Sequence, residues 1–204
     1  SDVCSSDLKK SDLWVILEDG TQVIWETNID CPLHDGNLCI KEAFLTPEVP
    51  LNPNAKNIFE NSDIIIIGPG DLYTSIIPNL LVKWTKEALQ KTNAKVVYFC
   101  NIMTKFWETT HFEVIDFVDT IEKYIGTWVL DYVVVNNWHI SDELVEKYKN
   151  EEQKRPVKVK DENDFEGKTY KIIERDLLNE SDFVRHNSKK LAKVIDDIVN
   201  GWIK

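Results

Sequence analysis

Long apolar runs are missing from this chain. Its aliphatic stretches at 64–67 and 133–135 are far shorter than the roughly 20 residues a helix needs to cross a bilayer, so no membrane-spanning helix is expected. Basic residues are also in deficit: 24 Lys and Arg stand against 35 Asp and Glu, for a formal charge of -11. Nucleic-acid binding draws on clustered Lys and Arg, which argues against a phosphate backbone as the main partner, while a locally positive pocket is compatible with the balance. Cysteine is sparse, and Cys4, Cys31, Cys39 and Cys100 follow no pattern. That usage fits a reducing compartment, the cytoplasm, better than a disulfide scaffold. Cys31, His34 and Cys39 match no standard zinc spacing and no second pair of ligands follows, so no metal site is expected. Residues 1–8, SDVCSSDL, contain no secretory apolar core. They spell what the 3′ end of a common sequencing adapter encodes when translated in frame, and are set aside as an assembly artefact. Residues 9–204 are read as a single domain.

What is present is enough for one substantial core, since 43% of the 204 residues are hydrophobic. Apolar runs at 13–17 and 21–26 flank Glu18, Asp19 and Gly20, and Asp-Gly between such runs is a hairpin signal. Residues 28–37 are turn-rich, 38–45 form another strand, and 46–54 hold three of the seven prolines and are irregular. A short helix over 55–60 follows. Strand 63–67, helix 78–91 and strand 95–100 make one βαβ unit, which continues as helix 111–125, strand 131–135 and helix 141–150 opened by Ser141. A parallel sheet with crossover helices is the natural architecture. The charged stretch 151–166 reads as surface loop around a short strand, 157–159, and 170–174 returns to the sheet edge. The last helix starts near Asn187 or Ser188, with Leu191, Val194, Ile195 and Ile198 on one face.

The sharpest local signal is Gly68, Pro69, Gly70, Asp71, Leu72, Tyr73, Thr74 and Ser75, between a buried strand and a helix. Glycines there let the backbone approach a phosphate, and N–H groups at the start of a helix supply a positive field. Thr74 and Ser75 add hydroxyls. A tight turn with no ligand explains the loop equally well, and it is not the dinucleotide GxGxxG pattern. Asn101 and Asn136-Asn137 follow the next two strands, so three polar loops converge on one crevice at the carboxyl edge of the sheet. Their side chains suit a base, a sugar or a pyrophosphate, and loop capping explains each one as well. Glu108 has the chemistry of a general base and His111 that of a proton carrier, but neither has a partner legible in the sequence, and roles at a helix N-terminus are favoured. Arg185, just before the last helix, is able to clamp a diphosphate, with a surface ion pair as the ordinary expectation.

The strings IIIIGPGDLYTSIIPNLLV, YFCNIMT followed by Glu108-Thr109, LDYVVVNN and FVRHNSKKLA occur in that order. Together, from about Leu13 to the C-terminus, they resemble the gluconeogenesis-factor family, relatives of 2-phospho-L-lactate transferase. The resemblance implies a Rossmann-like three-layer α/β sandwich with a mostly parallel sheet and its N-terminal part missing. It also implies a regulatory binder of UDP-sugars, UDP-N-acetylglucosamine above all, linked to cell shape and to growth on gluconeogenic carbon. Ligand contacts carry over to Tyr148 and Arg185, with the Gly68 loop, Asn101, Thr104, Asn136 and Asn137 lining the same cleft. The enzyme alternative is phospholactyl-type transfer from a nucleotide donor to a deazaflavin alcohol, in which Asp71 would hold Mg²⁺. A third alternative is an interaction domain with no small ligand. No resident cofactor is implied outside the transferase, and a homo-oligomer is left open.

Two features depart from the family pattern. A glycine-rich phosphate loop on a first strand, and a DDGGSSG-like segment after it, are absent. Edge strands that such a half would cover are then expected to be open to aggregation. Trp25, Trp84, Trp107, Trp128 and Trp138 stand where family sequences carry glycine, and seven Trp beside seven Gly is an unusual balance. A gene that reads UGA as glycine, translated as if UGA were tryptophan, accounts for all five. Real tryptophans filling core or surface space are the alternative.

Overall fold

The computed structural model describes residues 10–24, 38–179 and 183–203. Strands β1 (Asp12–Leu17) and β2 (Gln22–Ile24) form the expected hairpin, with Ile16 opposite Gln22. Its tip needs Gly20, which takes φ 87°, and the Asp19 carboxylate accepts from the N–H and hydroxyl of Thr21 at 2.8 and 2.9 Å. Strand β3 (Ile40–Thr46) pairs with the other side of β1, which gives a three-stranded antiparallel sheet in the order β2-β1-β3. Trp25 and the turn-rich stretch 28–37 lie outside the described residues.

The second sheet is parallel throughout. Its strands β4 (Ile64–Ile67), β5 (Lys95–Phe99), β6 (Tyr132–Asn136) and β7 (Lys171–Arg175) lie in sequence order. Alternation along β5 sends Val96 and Tyr98 to one face and Val97 and Phe99 to the other, and all four are buried. On the first face Phe117, Ile121 and Ile125 of α4 (Val114–Ile125) join them, together with Leu13, Val15 and Leu17 of the antiparallel sheet. On the second face Val194 and Ile198 of α6 (Ser188–Val199) close the core. Helices on both faces of a parallel sheet make the expected Rossmann-like α/β arrangement.

Local chemistry sets the helix starts. Asn187 caps α6 by accepting from Lys189 and Lys190 N–H, and Ser141 caps α5 (Asp142–Glu152) through Leu144 N–H. Helix α1 (Pro53–Asn61) begins two residues before expectation because Asn52 caps Asn54 N–H. Helix α4 begins three residues late, where Glu113 and Asp116 form a reciprocal capping box.

Two expectations are corrected. The helix read over 78–91 is divided into α2 (Ile77–Leu80) and α3 (Thr85–Lys91), and a π-helical turn (Leu72–Ile76) precedes it. The break falls where Lys83 N–H donates to Val49 O (2.9 Å) and Lys83 O accepts from Leu51 N–H (3.0 Å). Backbone groups spent on the proline-rich segment are not free to continue a helix. The strand read at 157–159 belongs to neither sheet: Val157 N–H donates to Ile102 O and Lys158 O accepts from Val114 N–H. Val157 is buried in the core rather than lying in a surface loop.

Four non-glycine residues among those described have positive φ: Trp84 (75°), Trp107 (77°), Trp128 (78°) and Gln153 (52°). Trp138 is not one of them.

Candidate functional site

The parallel order of β4, β5 and β6 places Gly68, Asn101 and Asn137, each just past its strand, on the same edge of the sheet. Gly68 has φ 82°, and a Cβ built there would stand 3.0 Å from the Phe99 carbonyl oxygen; one on Gly70 would stand 3.2 Å from Ser75 Cβ. The positive φ and the close carbonyl favour glycine at Gly68, while at Gly70 a Cβ would only make a tight contact. Asn101 holds the loop from the neighbouring strand, its Nδ2 donating to Gly70 O at 2.9 Å while the Tyr98 hydroxyl reaches its Oδ1 at 3.5 Å.

Inside the loop the chain turns through a π-helical step in which Ser75 and Ile76 N–H both donate to Asp71 O. Tyr73 is buried with its hydroxyl donating to Ile40 O at 3.4 Å, and burial pushes its pKa above the ordinary tyrosine value. Its side chain thus belongs to the core. Its N–H is committed as well, donating to Glu108 Oε2 at 3.2 Å. A carboxylate from this chain therefore already occupies one of the loop N–H groups that the sequence reading offered to a phosphate.

Glu108 is not at a helix N-terminus, as its sequence position had implied, because α4 starts at Val114. It is 3% exposed, and its Oε1 lies 2.7 Å from Lys105 Nζ, which also meets Asp71 Oδ2 at 2.7 Å. Burial raises the Glu108 carboxyl above its usual range, and Lys105 opposes that shift without cancelling it. Burial pulls the Lys105 ammonium down, but Glu108 and Asp71 together outweigh it and leave it raised. The three side chains latch the 68–75 loop to the 105–110 loop. Lys105 was missed from sequence; its only signal was Glu108 three residues on, and Asp71 is far away along the chain. His111 lies beside Arg155, whose Nη2 contacts its Nδ1 and donates to Thr110 O.

The other expected residues divide by role. Thr104 is buried and pairs with Arg155, accepting its N–H at Oγ1 (2.9 Å) and donating its own N–H to Arg155 O (2.8 Å). The Asn136 carboxamide is spent within the protein, donating to Trp138 O in its own loop and accepting from Leu177 N–H just past β7. Asn137, Ser75 and Arg185 are exposed, and Thr74 and Asp71 are half-buried. The Tyr148 hydroxyl accepts Val184 N–H at 3.2 Å, one residue before Arg185, whose guanidinium lies 5.8 Å from the Phe183 ring centroid. The same segment is tied to β5 by His186, whose Nε2 donates to Cys100 O at 3.2 Å. Burial lowers the His186 pKa, so the ring is held as the neutral donor. A cavity of about 490 Å³ opens beside Asn136, Asn137, Trp138 and Glu174 at this edge. Among the described residues no three His, Cys, Asp or Glu are grouped to hold a metal ion, and no helix is long and apolar enough to cross a membrane.

A parallel sheet covered on both faces, with its polar loops gathered at the carboxyl edge, defines a Rossmann-like α/β protein with its candidate crevice there. Residues 2–178 match the family model described as 2-phospho-L-lactate transferase CofD. The gluconeogenesis factor of Bacillus subtilis (strain 168) is 37% identical over 191 residues, covering 90% of this chain and 56% of that protein. The one from Halalkalibacterium halodurans is 36% identical over 182 residues, covering 88% and 54%. A crystal structure of a UPF0052-family protein from Bacillus halodurans superposes with a TM-score of 0.85 at 34% identity, covering 93% of this chain and 60% of that one. The chain belongs to the gluconeogenesis factor (UPF0052) family, which shares the CofD-type domain. It spans little more than half the length of these relatives.

Proposed function

We propose that this chain is part of a cytoplasmic, non-enzymatic regulator that binds a nucleotide-sugar of the UDP-N-acetylglucosamine type and links carbon metabolism to cell shape. The observation that carries the reading is the anchoring of the segment before the last helix, where the Tyr148 hydroxyl accepts Val184 N–H and so fixes the backbone next to Arg185. Arg185 is the cation for the diphosphate, because the Tyr73 donor in the glycine loop already serves Glu108. Asn137 and the exposed hydroxyl of Ser75 offer groups for the sugar and base. The test is calorimetry with UDP-N-acetylglucosamine on the full natural polypeptide. Arg185→Ala is expected to weaken binding at least about tenfold, the loss of one charge-assisted contact, with thermal stability unchanged. Equal affinity of variant and parent would remove Arg185 from the site.

The second reading, phospholactyl transfer, is favoured by the match to a transferase family model over residues 2–178. Its Mg²⁺ does not fit the donor set as placed: Asp71 is paired with Lys105, and no acidic cluster stands near it among the described residues. Incubation with a nucleotide-activated phospholactate and a deazaflavin alcohol, read by mass, decides between the two readings.

A further inference from the structure

In the segment before α6, Val184 is half-buried and packs with Leu144 and Val145 of α5 in a small apolar cluster. Its neighbours Phe183 and Arg185 stay exposed, Phe183 at 55%. A single exposed ring is ordinary on a protein surface, but this one has two cations over it. The Lys147 ammonium, from α5, stands 5.9 Å from the ring centroid and the Arg185 guanidinium 5.8 Å from it. One such contact occurs roughly once per 70–80 residues; two on the same ring gather like charges that repel each other. Other cations nearby are neutralised, Lys149 by Glu146 and Lys154 by Glu152. Among the described residues no carboxylate meets Lys147 or Arg185. In a chain with 35 acidic residues against 24 basic ones, two adjacent cations without an acid form a local positive patch suited to an anion from outside.

We propose that Phe183 is the stacking platform for the base of a nucleoside diphosphate and that Lys147 joins Arg185 on its two phosphates; this rests on the nucleotide-sugar reading and extends it to two further residues. A planar heterocycle gains from an exposed aromatic face. A diphosphate takes both kinds of cation, the guanidinium as a fork and the ammonium as a point charge. Cations held over an exposed ring are weakly fixed, so both heads can turn from the ring to the phosphates as the base takes the face. The backbone beneath them is set beforehand, because the Tyr148 hydroxyl holds Val184 N–H and His186 is tied to Cys100 O. Pre-organisation of that kind lowers the cost of binding.

Calorimetry on the full natural polypeptide at low salt tests this with three probes: UDP-N-acetylglucosamine, UDP and inorganic pyrophosphate. Phe183→Leu should weaken UDP at least about fivefold, the loss of one base–aromatic stack, and leave pyrophosphate unchanged. Phe183→Tyr, which keeps the ring, should restore UDP binding. Lys147→Gln should weaken UDP and pyrophosphate alike by about threefold, a loss that shrinks as salt is added. Lys149→Gln, one turn position away and already paired with Glu146, is the control expected to change neither. Equal weakening of UDP and pyrophosphate by Phe183→Leu would overturn the base platform, and a parent that fails to bind pyrophosphate would overturn the pair of cations. Parent affinity for UDP in both Phe183→Leu and Lys147→Gln would overturn the whole inference while leaving the nucleotide-sugar reading in place. A parent that binds neither UDP-N-acetylglucosamine nor UDP would end both.

Discussion

Replacing Trp84, Trp107 and Trp128 by glycine and, separately, by alanine measures the backbone cost at these positions without the complication of the indole. Both substitutions remove the ring and whatever it buries, which is little for Trp128 (75% exposed) and more for Trp107, whose ring lies tilted 4.5 Å from Phe106. What differs is Cβ. In ordinary backbone alanine is the more stabilising, by about 0.5–1 kcal/mol inside a helix or strand, but a left-handed residue with a Cβ costs roughly 1–2 kcal/mol. The order should therefore invert, with each glycine variant more stable than its alanine partner by about 1 kcal/mol. For a chain of this size that is about 2–4 °C in Tm per site, and the three sites, in separate loops, should add. Trp138, without positive φ, is the control at which no inversion is expected. Paired urea titrations and thermal melts provide the assay. Alanine equal to or better than glycine at all three sites would refute the strain argument and, with it, the structural case for native glycine there.

Glu108→Ala should destabilise by about 1–3 kcal/mol, because it strands the Tyr73 N–H and half-buried Lys105; Glu108→Gln, which keeps an acceptor, should cost less in the same urea titration. The folded-state pKa of His186 lies below that of the unfolded chain. As pH falls from about 6.5 the unfolded state takes the proton first, so stability is full above that pH and is lost on acidification toward the folded value. His186→Gln should flatten the decline of Tm over that window; an unchanged slope would show that the ring does not contribute. Tyr148→Phe should lower affinity for UDP-N-acetylglucosamine several-fold by releasing Val184 N–H and the Arg185 segment it holds, with no such effect from Tyr132→Phe on β6, read by calorimetry.

What the sequence by itself determined is the local grammar. Aliphatic runs, Asp-Gly at the hairpin and the caps at Ser141 and Asn187 depend on residues a few positions apart, and those elements stand where the residues say. The glycine loop was legible for the same reason, since the turn puts Gly68 at a positive φ that favours glycine. Only the tertiary structure decided what the loop faces. Tyr73 turns inward to Ile40, Lys105 joins Asp71 to Glu108, and Tyr148 meets Val184 across 36 residues of chain. Each of these is a contact between segments that periodicity and propensity do not relate. The break of the 78–91 helix has the same origin: its residues favour a helix, but Lys83 bonds to a segment more than thirty residues earlier. Short-range preferences choose the elements, while the pairing of distant backbone and buried charge decides which side chains remain free to meet a ligand.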